Sequence, residues 1–382
     1  MVFCAEEKDR MTSRERILLT LRGGQADRVP ISTYELVGWN SRAFENNDPS
    51  YRALMDVIRE KTDCLAMWGP GSNARFLESA YPVEITGSER REGNATVYYQ
   101  TVHTPKGPLT RSYKVFDNVH TTWMTEHWCK SLDDVDKALS VPYEPVTYDA
   151  SDRARIDGEV GDRGIIMDGL ADPLWMAADL MEFGQYTVWA LSETDHFART
   201  VEILHERCME NLRRHLAANV SDLYRICGPE YATPPYLPPE LFDRFVTPYV
   251  KEMVERLHEK GALARFHCHG RIGQVLDMIV ATGADALDPC EAPPDGDIEL
   301  AEVKRRAGDR LCLCGNLQLK LLEHGSREEV RQAVIACMDA AKQGGGYIIL
   351  PTAAPINTPL APKTEANYIT FIETALECGA YA

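Results

Sequence analysis

Along the 382-residue chain, short β-rich runs that end in polar or glycine-containing loops alternate with amphipathic helices. Strands that alternate with helices pair in parallel, because each helix returns the chain to the starting edge of the sheet. The pattern predicts strands over Val29–Tyr34, Cys64–Trp68, Gly164–Asp168, Leu223–Cys227, Leu263–His267, Ala286–Asp288, Leu311–Cys314 and Tyr347–Leu350. The clearest helices are expected over Glu193–Ala218, Pro239–Lys260, Arg271–Ala281, Ser326–Lys342 and Thr364–Cys378, several with glycine just past their ends. An earlier helix, Thr12–Arg22, opens on Thr12 and Glu15 in capping-box spacing. Roughly eight strand–helix units point to an α/β fold, a (β/α)8 TIM barrel forming one domain over residues 1–382. An open doubly wound sheet is the competing architecture. Between the second and third strands, residues 83–116 alternate as a hairpin with turns at Glu92-Gly93-Asn94 and Lys106-Gly107-Pro108. This stretch is expected to be an antiparallel β insertion packed over one rim.

The chain is 44% hydrophobic and 26% charged, which suits a soluble protein with ample core. Its formal charge of −17, without a basic run, makes nucleic acid and anionic membrane surfaces poor partners. Eleven cysteines at irregular spacings read as reduced thiols rather than a disulfide framework. No apolar stretch reaches membrane-spanning length, and Glu6, Glu7 and Asp9 stand where a signal peptide needs apolar residues. A cytoplasmic location is expected.

The chemistry centres on Phe266-His267-Cys268-His269-Gly270. Alternate residues of a strand share a face, so His267 and His269 can point to one place while Cys268 points away. Glu291 follows the next strand, and two imidazoles with one carboxylate form a metal set that leaves a coordination position open. Cys290 competes with Glu291 for the inward direction. Active sites of such barrels lie at the C-terminal strand ends. Those ends also carry Tyr34, Glu35, Trp68, Asp168, Glu230, Tyr231 and Asn316. Glu230 reads as a ligand or general acid/base against a solvated carboxylate, and Asp168 as a substrate hydrogen-bonder against a loop cap. Tyr34, Trp39, Trp68, Trp175 and Tyr231 would surround the mouth and suit an apolar or aromatic ligand, although packing explains such rings equally well. Asn316 reads as a substrate contact or a loop hydrogen-bonder, and Cys312 and Cys314 as barrel filling. Gly344-Gly-Gly346 lacks a following Lys-Ser/Thr and is no phosphate loop.

Several of these segments together resemble the uroporphyrinogen decarboxylase-like superfamily, which includes zinc-dependent methyltransferases. They are Met11-Thr-Ser-Arg-Glu-Arg-Ile17, Asp27-Arg-Val-Pro30, Pro239-Glu-Leu-Phe242, His267-Cys-His-Gly270, Gly315-Asn-Leu317 and the closing Gly345-Gly-Tyr347 and Asn357-Thr-Pro359. The resemblance implies a (β/α)8 barrel that forms a homodimer. True decarboxylases of this kind place an arginine-rich segment after the first strand, where this chain reads Tyr34-Glu-Leu-Val-Gly-Trp-Asn40. The methyltransferase branch, similar to corrinoid:coenzyme M methyltransferases and cobalamin-independent methionine synthase, uses His-x-Cys and a later cysteine. Here His267 matches the histidine, His269 replaces the cysteine, Glu291 matches a glutamate of the synthases, and Pro351-Thr-Ala-Ala354 lacks the last cysteine.

Exchanging two thiolates for nitrogen and oxygen donors raises the net charge of a zinc site from about zero to about +1. Such a site suits polarising the leaving group of a methyl donor. The expectation is a zinc-dependent methyltransferase, with zinc on His267, His269 and Glu291. It moves a methyl group from a small methylated donor, such as a methoxylated aromatic, to a corrinoid protein or a thiol. The corrinoid comes with the partner, since the chain shows no signature for binding one. The alternatives are a metal-free decarboxylase using His267 or His269 as acid/base with Asp168 orienting the substrate, and a non-catalytic ligand-binding barrel.

Overall fold

The computed structural model describes residues 11–39 and 43–381. Its central element is a seven-stranded parallel sheet in which each strand pairs with the next along the chain. The first strand is β1 (Cys64–Met67). A separate antiparallel sheet follows in the chain, built from β2 (Ile85–Glu92), β3 (Ala95–Thr104), β4 (Gly107–Phe116) and β5 (Val119–Glu126). The parallel sheet resumes with β6 (Gly164–Ala171), β7 (Leu223–Cys227), β8 (Leu263–His267), β9 (Ala286–Asp288), β10 (Cys312–Leu317) and β11 (Tyr347–Pro351).

Alternation decides which side chains meet. One face of the sheet gathers Leu65, Ile165, Met167, Leu223, Leu263, Ala286, Cys312, Cys314, Ile348 and Leu350. Ile17 and Leu21 of helix α1 (Ser13–Leu21) join that cluster, and the helix carries the expected capping box between Thr12 and Glu15. The other face, with Tyr224, Ile226, Ala264, Phe266, Leu287, Leu313 and Ile349, packs on the helices. Those helices include α2 (Arg153–Val160), α3 (Pro173–Ala178), α4 (Thr194–Ala218), α5 (Thr247–His258) and α6 (Arg327–Ala341).

The expected strand Val29–Tyr34 shrinks to one parallel bridge, Ile31 to Ile349. Pro30 has no N–H to give to a ladder, and Tyr34 turns the chain with φ of 59°. Ser32 N donates to Ile349 O at 3.0 Å, Ile349 N to Pro30 O at 3.1 Å and Asp63 N to Ile31 O at 2.8 Å. Residues 30–32 therefore stand between β11 and the start of β1. The expected helix Pro239–Lys260 breaks at Val246, just before Pro248, into Pro239–Phe245 and α5. β5 extends the antiparallel sheet beyond residue 116. It is mostly exposed and threonine-rich, so it lacked the apolar alternation that marks a strand. Among the described residues no helix is long and apolar enough to cross a membrane.

Candidate active site

β8 ends at His267, and its inward residues are Leu263, Arg265 and His267. Arg265 lies in register with Arg225 of β7 on one side and Ala286 of β9 on the other. His267 in turn lies beside Asp288, the last residue of β9. This places two guanidiniums, one imidazole and one carboxylate within the buried upper layer of the sheet. Asp288 accepts Arg265 in a fork, from Nε at 2.6 Å and Nη2 at 2.5 Å, and also accepts His267 Nδ1 at 2.9 Å. Burial alone would raise the Asp288 carboxyl, but Arg265 and then His267 hold it well below the ordinary carboxylate range.

Arg225 Nη2 stands 3.2 Å from Nδ1 and 3.0 Å from Nε2 of His267. Such near-equal separations put the guanidinium over the ring face, not on the lone pair of either nitrogen. The same nitrogen donates to Tyr34 Oη at 2.5 Å, and Nη1 donates to Glu35 at 2.9 Å. Burial lowers the pKa of His267, so the ring is neutral: Nδ1–H donates to Asp288 and Nε2 keeps its lone pair.

One turn further on, His269 Nδ1 pairs with Glu291 Oε1 at 3.1 Å, and Gly270 N donates to Glu291 Oε2 at 2.8 Å. Burial disfavours charge on His269, but the hydrogen bond and charge of Glu291 outweigh it and raise the imidazole pKa. Glu291 is correspondingly lowered against its own burial. The His269 side chain is 34% exposed, against 6% for His267, so it lies nearer the open rim. The two rings are edge to face with centroids 4.7 Å apart. The loop carrying Glu291 closes tightly: a Cβ at Gly296 would lie 1.8 Å from the Glu291 carbonyl oxygen.

Glu230 stands on the turn after β7, its Oε2 accepting Gly228 N at 2.9 Å. Gly228 has φ of +127°, and a Cβ there would meet Asp172 Oδ1 at 2.0 Å, so only glycine fits. Asp172 is fully buried, caps α3 through Trp175 N at 2.7 Å, and leaves Oδ2 without a partner. Burial raises its carboxyl well above the usual range.

The sequence-expected residues therefore divide. His267, His269 and Glu291 come together, with Tyr34 behind Arg225, and Glu230 lies close enough to His269 to act on its charge. Asp168 does not join them. It sits on the sheet's outer face and pairs with His215 of α4 at 2.7 Å, because strand alternation turns Met167 inward and Asp168 outward. Trp68 is used by α2, with Nε1 donating to Asp152 at 3.2 Å and the Arg153 guanidinium over its ring. Tyr231 packs against Phe183 and Tyr186. Asn316 Nδ2 donates to Cys290 O at 2.7 Å, while its Oδ1 accepts Cys337 of α6. Arg225, Arg265 and Asp288 were not singled out from sequence. The signal was an arginine at the middle of two predicted strands, two residues before a strand-end Cys227 or His267.

His267 and His269 each have Nδ1 held by a carboxylate, an arrangement that suits metal-ligating imidazoles. Glu291, the expected third ligand, accepts from His269 through one oxygen and from Gly270 through the other. Among the described residues, no group of three or more His, Cys, Asp or Glu is placed to hold a metal ion. As placed, Glu291 buttresses His269 through Nδ1.

Residues 118–363 match the family model for uroporphyrinogen decarboxylase (URO-D). The chain belongs to that family. It is 24% identical over 226 residues to a uroporphyrinogen decarboxylase of Pseudoalteromonas translucida, covering 57% of this chain and 62% of that protein. It is 25% identical over 159 residues to the methylcobamide:CoM methyltransferase MtaA of Methanosarcina barkeri, covering 42% of this chain and 44% of MtaA. The matched segments thus span less than two thirds of these curated relatives. Over the whole fold, the chain superposes on a methyltransferase from Methanosarcina mazei with a TM-score of 0.62 and 17% identity, covering 96% of this chain and 99% of that one. The family to which the chain belongs thus contains enzymes of two kinds, decarboxylases and methyltransferases.

Proposed function

We propose that the chain is a methyltransferase that takes a methyl group from an uncharged methoxylated aromatic donor and passes it to the cobalt of a corrinoid protein or to a thiol. The observation that carries this is charge balance at the rim. Arg265 is paired with Asp288, Arg225 with Glu35, and His269 with Glu291, so these three cations already have carboxylate partners and do not wait for a polyanionic substrate. Glu230 adds a further carboxylate beside them. An uncharged donor meets no penalty there, whereas a porphyrinogen bearing many carboxylates would.

The pair His269–Glu291 supplies the chemistry. In an aryl methyl ether, the acceptor's electron pair attacks the methyl carbon and the C–O bond breaks with its electrons going to oxygen. His269 Nε2–H gives its proton to that oxygen, and the product leaves as a phenol. Glu291 keeps the imidazole protonated beforehand and oriented through Nδ1. Neutral His267 and the Arg225–Tyr34 pair form the wall behind it. On the fold side, the same reading takes residues 30–32 as the stave that closes a single (β/α)8 barrel into which the antiparallel sheet is inserted.

The test supplies 2-methoxyphenol with a labelled methoxy carbon and free cob(I)alamin. Labelled methylcobalamin is the expected product; a label that stays on the donor across a panel of aryl methyl ethers contradicts the proposal. One observation favours a carboxy-lyase instead: among the described residues Arg225 Nε is buried without a partner and could take a single substrate carboxylate. Release of carbon dioxide from an aromatic carboxylate, with no methyl transfer, would decide for that second reading.

A further inference from the structure

A cavity of about 420 Å³ lies where β1 stops short of the end of β6. β1 pairs only as far as Met167, while β7 continues along Asp168–Ala171, so that edge of β6 is uncovered. Leu170, Met176, Leu212 and Met253 give the walls much of their apolar surface, with Trp175 also lining them. None of His267, His269, Glu230 and Glu291 lines it. This volume falls within the range of small-molecule pockets.

The polar lining includes a buried pair, beside Glu78, Tyr148 and Asn211. His215 is 5% exposed and Asp168 4%, and His215 Nε2 stands 2.7 Å from Asp168 Oδ2. A carboxylate only accepts, so a proton stands on Nε2, and Nδ1 is the ring nitrogen left for a ligand. Among the described residues no hydrogen bond reaches that Nδ1, and the Tyr148 ring lies 4.8 Å from the imidazole, centroid to centroid. No lysine or arginine lines the cavity, and Glu78 does, so an anion is disfavoured.

We propose that this cavity is a second small-molecule site, which takes an uncharged, ring-sized molecule with an apolar body and one hydroxyl donating to His215 Nδ1. It stands apart from the methyl-transfer reading and survives its failure, because it uses none of the same side chains.

The probe is phenol, with toluene as the partner of equal shape and no hydroxyl, titrated calorimetrically into the full chain. A saturable phenol site at least tenfold tighter than toluene is expected in the unaltered protein, separate from any product binding beside His269. It should persist in His269→Ala and weaken at least tenfold in Leu212→Trp, which fills the cavity. Should Leu212→Trp fail to fold, methionine methyl labelling replaces it, and phenol should move the Met176 and Met253 signals. Equal binding of phenol and toluene, absence of saturable binding, loss of binding in His269→Ala, or unmoved methionine signals would each overturn the site.

Discussion

His269 and Glu291 meet Nδ1 to Oε1 at 3.1 Å, with the other carboxylate oxygen pinned by the Gly270 N–H at 2.8 Å. The pair is half-open to the rim, so its proton can be used and replaced. Its partner strand-mate His267 is held neutral by burial, with Nδ1–H donated to Asp288. Two imidazoles two residues apart are thus pushed in opposite directions by their surroundings, which is how one site comes to hold an acid beside a neutral wall.

The pH profile follows from that pair. Glu291 raises the His269 pKa, so the acid is fully present at low pH and is lost as pH rises through the raised value. In Glu291→Gln the alkaline limb of kcat should move to lower pH, with the rate at pH 8 falling by about tenfold or more. A limb that stays in place in the variant would show that another group titrates.

Metal removal gives a second expectation. Because Glu291 buttresses His269, dialysis against a chelator should leave methyl transfer within about twofold. Loss to background that stoichiometric zinc restores would show that Glu291 leaves His269 to become a ligand.

Asp288 carries the stability of the layer beneath. Asp288→Asn strips Arg265 of its charge partner inside the protein and should destabilise it by about 3–5 kcal/mol in denaturant unfolding. The folded carboxyl is depressed, so its contribution is present above the ordinary carboxylate pKa of about 4 and is lost as pH falls below it towards the folded value. The variant should therefore lose the acid-side decline that the unaltered protein shows.

Gly228→Ala tests the turn that carries Glu230. A methyl group there runs into Asp172 on a backbone with φ of +127°, and a loss of about 1–3 kcal/mol is expected. An unchanged unfolding midpoint would mean that the turn gives way freely.

Much of this was legible in the residues, and the rest failed for physical reasons. Strand alternation placed His267 and His269 together and Cys268 among the outer packing, as the structure has them. The same rule, carried two residues back along β8, would have found Arg265, and in register with it Arg225. An arginine mid-strand reads as surface until its partner is known, and Asp288 is that partner. Asp168 was misplaced because an acid closing an apolar strand was read by its position at the strand end, when its parity turns it towards His215. The role of Glu291 depends on a 3.1 Å separation that spacing along the chain does not encode.

The most direct measurement is single-turnover methyl transfer from 2-methoxyphenol to cob(I)alamin in the unaltered protein and in His269→Ala. The expected result is a fall in rate of about 10²–10⁴, with donor affinity changed no more than a few-fold. A His269→Ala protein that transfers methyl at the full rate would contradict the assignment of this imidazole as the acid.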